Sequence, residues 1–185
     1  MSKNYSTQND LLLNNLLEFY NQGDNMDTML NIINGESKIS LRIIDWFATN
    51  YAKKNFTIYD VKDGKQRFKV YMDYKLKLKA YSKKRFDPFC RWERITIPYK
   101  EGVSIQTTLG QLNFFKWALE NDVIKFIEEN YQAIELDMNN RNSTSKKKEQ
   151  PNDNKNKTRK KREELSISAS KSIKKETVEI VVKFD

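Results

Sequence analysis

The chain of 185 residues contains no histidine, one cysteine (Cys90), three prolines and five glycines. Without histidine there is no imidazole general base, no Ser-His or Cys-His nucleophile pair and no imidazole metal ligand. A single cysteine excludes an intramolecular disulfide and a thiolate cluster, which fits a reducing compartment. Wedged between bulky neighbours, Cys90 is expected as a small buried residue. No apolar run approaches the ~20 residues that span a bilayer. The first residues, MSKNYSTQNDLLLNN, lack the basic-then-apolar order of a secretory leader, so the expectation is a soluble, intracellular protein.

Hydrophobic content is 38% and charged content 32%. A typical globular chain runs at about 45–50% and 25%, so part of this one is expected not to fold. The net charge of +9 is concentrated. Residues 62–100 carry 13 basic and 4 acidic side chains, whereas residues 101–138 carry 2 and 7. Residues 139–164 return to 10 and 4. Local excess of this kind points to an anionic partner more directly than the total does.

Three helices are expected before residue 55. Leu13, Leu16, Leu17 and Tyr20 fall on one helical face before Gly23, and Met26, Met29, Leu30 and Ile33 repeat the spacing before Asn34-Gly35. Ser40 caps a third, with Ile44, Phe47, Ala48 and Tyr51 as its stripe. Asp63-Gly64 then signals a hairpin turn. After it, Phe68, Val70, Met72, Tyr74, Leu76, Leu78 and Ala80 alternate with Lys69, Tyr71, Asp73, Lys75, Lys77, Lys79 and Tyr81. Period-2 alternation predicts one long strand, bent or bulged somewhere along its length. Asp87-Pro88 forces a turn and Arg94–Tyr99 supplies a further edge strand. Thr108 with Gln111 reads as a capping box opening a helix that breaks near Asn121-Asp122. The apolar-free stretch 139–164 cannot offset its ordering entropy. Val178, Ile180, Val182 and Phe184 alternate in a terminal strand.

The expected fold is therefore α+β: N-terminal helices, a small antiparallel sheet and two C-terminal helices packed on it, over residues 8–138. A disordered basic linker, 139–176, and a C-terminal strand, 177–185, follow.

On the expected strand, Lys69, Lys75, Lys77, Lys79, Lys83, Lys84 and Arg85 would meet phosphates, with Tyr71 and Tyr81 available to stack on bases. The bland alternative is a row of lysines on the wet side of a half-buried strand, and a third reading is another acidic partner, a protein or a membrane. Arg91, Trp92 and Arg94, beside Phe86 and Phe89, form an arginine-aromatic corner suited to a partner protein, or else a packed turn. TRKKREE, 158–164, reads as a polyanion-binding or nuclear-import arm, or as solvated linker charge. Asp60 or Asp63 followed by Asp73-Tyr74-Lys75 matches the loose pattern of a metal-dependent nuclease core. So short a pattern arises by chance in a lysine-rich segment, and no catalytic, metal or cofactor residue is assigned.

The stretches SLRIIDWFATNYAKKN, MDYKLKLKAYSKKRFDPFCRWERI and TTLGQLNFFKWALENDVIKFI resemble a group of uncharacterised proteins of the nucleocytoplasmic large DNA viruses, the giant viruses, over roughly residues 40–130. The resemblance carries no functional residue. It implies a viral protein in the cytoplasmic factory or nucleus of an infected cell, or packaged in the particle. The functional expectation is non-enzymatic, mostly sequence-independent association with nucleic acid, DNA ahead of RNA, through the basic strand face and tail. The alternative is a virion structural or adaptor protein that docks a protein partner through the arginine-aromatic corner and the terminal strand.

Overall fold

The computed structural model describes residues 7–61, 64–100, 102–147 and 174–177, with side chains outside 142–147 and 174–177. Helix α1, Gln8–Tyr20, opens with Thr7 and Asp10 capping one another's backbone N–H groups, and it buries Leu16 and Tyr20. Helix α2, Asn25–Asn34, buries Met26, Met29, Leu30 and Ile33. It stops at Gly35, whose φ of 79° suits a residue without Cβ. The Ser40 hydroxyl accepts the Ile43 N–H at 3.3 Å and starts α3, Leu41–Trp46. That helix runs through a π-helical turn, Phe47–Tyr51, into α4, Ala52–Lys54.

Strands β1, Ile58–Val61, and β2, Gln66–Lys69, pair antiparallel with Ile58 opposite Lys69. Here the structure departs from the expected long strand. Extended backbone ends at Lys69, and Val70–Phe86 form helix α5. The physical reason lies in its composition and its neighbour. Seven of the residues between Met72 and Ala80 are Met, Lys, Leu or Ala, all strong helix formers. A helix also delivers Val70, Tyr74 and Phe86 to the core, with Tyr74 and Phe86 packed on Phe114 and Trp117. The alternation was a coincidence of two patterns, a core stripe and an outer stripe of Met72 and Leu76. Helix α5 is interrupted at Ser82, where φ is 64° and ψ 167°.

Helix α6, Leu109–Glu120, is the axis of the molecule, burying Leu112, Phe114, Phe115, Trp117 and Ala118 on several sides at once. Thr108 caps it by accepting the Gln111 N–H at 3.1 Å. Helices α7, Val123–Glu129, and α8, Tyr131–Lys147, follow the expected break. A second antiparallel sheet joins β3, Arg94–Pro98, to β4, Val103–Thr108, and β4 to β5, Lys174–Thr177. The α+β class holds, in two small sheets rather than one. The terminal pairing uses Lys174–Thr177 within the chain; Val178, Ile180, Val182, Phe184 and the linker residues 148–173 lie outside the described residues. Helix α8 continues past Met138, where the linker was expected to begin: Arg141 donates to Asn50 at 3.0 Å and lies over Trp46.

Asp137 ties α8 to the third helix. Its carboxylate pairs with Lys54 at 2.8 Å and accepts the Trp46 indole N–H at 3.0 Å. Those partners hold the carboxyl below the usual carboxylate range. A lowered folded-state pKa contributes stability above the unfolded value, ~4, which is lost as pH falls through the folded value. Asp137→Asn should therefore cost about 1 kcal/mol near neutrality. Its melting temperature should converge on that of the parent as pH falls through the lowered folded-state value. Thermal melts of both proteins across that range check it.

Candidate nucleic-acid interface

The basic segment is delivered by the β1–β2 hairpin and α5. On the hairpin, Phe68 turns inward while Lys65, Arg67 and Lys69 are exposed. Successive residues in α5 are rotated by about 100°, which redistributes the lysines that alternation had aligned. Lys75 and Lys79 lie one turn apart on the solvent side, both exposed. Lys77 lies about 160° away from each of them. It is half-buried and faces a cleft between α1, α5 and α6, in the company of Glu18, Lys116 and Glu120. Asp73 and Lys75 likewise point apart, and Asp73 accepts the Trp117 indole N–H at 2.7 Å. The nuclease pattern needed those two residues on a common strand face, which the helix removes.

The expected stacking tyrosines are engaged. Tyr71 is half-buried, with the Lys53 ammonium 5.6 Å above its ring, and Tyr81 stacks on the core residue Phe86. Burial also pushes the Tyr74 phenol upward, so it stays neutral.

The break at Ser82 re-aims the three cations that follow. Lys83 is exposed, and the Lys84 ammonium sits 3.6 Å over the Trp92 ring. Arg85 turns inward: its Nε donates to Asn9 at 2.8 Å, and its carbonyl accepts the Asn113 amide at 2.9 Å. Arg85 thus clamps α1 to the end of α5 and is withdrawn from the candidate surface. In the corner, Phe86 belongs to the core, Arg91 and Trp92 are exposed, and Arg94 reaches across the strands to Gln106 at 3.3 Å. Cys90 is partly exposed rather than buried. Two sites that the sequence kept separate, the lysine segment and the aromatic corner, meet at Lys84 and Trp92.

Among the described residues, ion pairs engage Lys54, Lys100 and Lys116. None reaches Lys65, Arg67, Lys69, Lys75, Lys79 or Lys83. Lys65 and Arg67, absent from the candidate set read off the sequence, join it through the hairpin; their place in the charge excess was the available signal. No helix among the described residues is long and apolar enough to cross a membrane, and no acidic, histidine or cysteine cluster there could hold a metal ion.

A protein family of unknown function, DUF7197, matches residues 2–184. The chain belongs to that family. A relative named "Uncharacterized protein L507", from Acanthamoeba polyphaga mimivirus, is 46% identical over 130 residues, 66% of this chain and 50% of the relative. The chain thus spans about half the length of the curated relative it matches. The resemblance to uncharacterised giant-virus proteins is borne out by both matches. No solved structure matches the chain.

Proposed function

We propose that this DUF7197 protein associates with nucleic acid, mostly without sequence preference, through the exposed cations of the β1–β2 hairpin and the solvent side of α5. The observation that carries the reading is the set of six exposed cations, Lys65, Arg67, Lys69, Lys75, Lys79 and Lys83, none of which forms an ion pair among the described residues, although the exposed Asp60 stands directly across from Arg67. Neutralising phosphates with such groups releases condensed counterions, which supplies affinity without reading bases. The solvent side of α5 offers Met72, Lys75, Leu76, Lys79 and Ala80: no Asn, Gln or Arg, and only the two lysines as groups that could meet a guanine edge. The reading is accordingly one of charge and shape.

A second reading, a structural or adaptor protein of the virus particle, draws on the exposed Trp92 with Lys84 stacked over it, beside the exposed Arg91. An exposed aromatic with cations around it is what a protein partner would use as an anchor.

Binding to labelled DNA duplex, single-stranded DNA, RNA and an acidic protein, each titrated in salt, separates the two. If four or five phosphates are neutralised, the logarithm of affinity should fall against the logarithm of salt with a slope of about −4. DNA duplexes of unrelated sequence should bind alike. Binding confined to the acidic protein would move the assignment to the adaptor reading.

A further inference from the structure

Nucleic acid leaves one feature of this surface unexplained. Within the cationic region stand large apolar side chains that the core does not cover: Met72 is 59% exposed and Leu76 63%. They lie one turn apart on α5, immediately beside the Lys75–Lys79 ridge, so an apolar row and a cationic row run side by side along the helix. The segment leading into the hairpin adds Phe56, 84% exposed, and Ile58, 49% exposed, which stands directly across from Lys69. That segment is held against the first turn of α5, the Val70 N–H donating to the Thr57 carbonyl at 3.3 Å. Four of the seven exposed large hydrophobic side chains of the described residues therefore belong to the same two elements, the hairpin with its lead-in and α5, that carry the unpaired lysines.

We propose that this face of the hairpin and α5 seats on an anionic lipid bilayer surface. The lysines and Arg67 would lie among the phosphate headgroups, while Met72, Leu76, Phe56 and Ile58 enter the boundary with the acyl chains. A basic helix face flanked by aliphatic and aromatic side chains has the composition of interfacial helices. Long lysine stems let the charged heads stay at the headgroup level above an inserted apolar row. The alternative of an acidic partner helix fits less well. The depression on this face is lined by Met72, Lys75, Leu76, Leu78 and Lys79, all from α5. A helix docking into a groove gains walls from more than one element, which this depression does not offer, although a helix could still pair side by side with α5 as in a coiled coil. The inference shares its cations with the nucleic-acid reading but rests on the apolar row, which that reading does not use.

The experiment compares co-sedimentation with vesicles of pure phosphatidylcholine and of phosphatidylcholine mixed with phosphatidylserine, alongside duplex-DNA binding by the same proteins. The parent chain should bind the mixed vesicles and leave the neutral ones. Met72→Ser with Leu76→Ser should weaken vesicle binding by about tenfold or more, because the inserted apolar area is gone. The same double variant should keep the parent's DNA affinity, since every cation remains. Circular dichroism should show an unchanged fold, both residues being exposed. The proposal is overturned if the parent ignores phosphatidylserine vesicles, if it binds neutral vesicles equally well, or if the double variant binds the mixed vesicles as tightly as the parent. Failure of the DNA arm alone would count against the nucleic-acid reading and leave the vesicle result standing.

Discussion

Reversing Lys75 and Lys79 together to glutamate is expected to lower affinity for duplex DNA about a thousandfold at low salt. Both ammonium groups are exposed, one helical turn apart, and unpaired among the described residues. Each reversal removes one attractive phosphate contact and adds a repulsive one, which at the distances of a contact in water is worth about 1 kcal/mol per unit charge. The salt slope should shrink by about two in the same experiment, one per lost phosphate. Because neither side chain supports the core, the melting temperature should stay within a degree or two of the parent. Binding that survives the double reversal would remove α5 from the contact.

Substitution at Gly110 should have the largest effect on stability. This glycine lies in the first turn of α6, where the helix runs against the end of α5. A Cβ built there would come 2.7 Å from the Asp87 carbonyl oxygen and 3.2 Å from that of Lys84. Both atoms are backbone, so no flexible side chain can swing aside. The Asn113 amide, one turn on, holds the Arg85 carbonyl at 2.9 Å and fixes the same close approach. Helix propensity alone would favour alanine over glycine by about 1 kcal/mol. The clash should win, giving Gly110→Ala a net loss of about 1–3 kcal/mol and Gly110→Val a larger one. Denaturant melts decide between the two effects, and a rise in stability for the alanine variant would show that the α5–α6 approach is looser than described. The fault would also disturb the binding surface, since the same turn sets Lys84 over Trp92.

Local signals were legible wherever the deciding interaction was local. Ser40, Gly35, Thr108 and the break at Asn121-Asp122 each act within a few residues of their own position, and each stands where capping and turn chemistry place it. The hairpin between Val61 and Gln66 was legible for the same reason. Strand β4 was missed because Val103, Ile105 and Thr107 make too short an alternation to stand out beside the loop before them.

Helix α5 was misread for a more instructive reason. Its alternating hydrophobics satisfied a strand, while its Met, Leu, Lys and Ala content favoured a helix, and the choice fell to packing on Phe114 and Trp117, far away in sequence. The site inherited that error. The cationic residue types were correct, but their sides were not. Lys77 turned into the cleft, Arg85 turned to Asn9 and Tyr81 turned onto Phe86, each set by a partner that sequence order does not reveal. The exposure of Met72 and Leu76 follows from the same rotation.

Everything functional here depends on which lysines the helix sends outward, and Lys77 is the position at which the alternatives part. The direct measurement replaces Lys69, Lys75, Lys77, Lys79 and Lys83 one at a time by glutamine and reads duplex-DNA affinity at a single fixed salt concentration. The helical arrangement predicts several-fold losses at Lys75 and Lys79 with Lys77→Gln indistinguishable from the parent. Equal losses at Lys75, Lys77 and Lys79, or no loss at any of them, would contradict it.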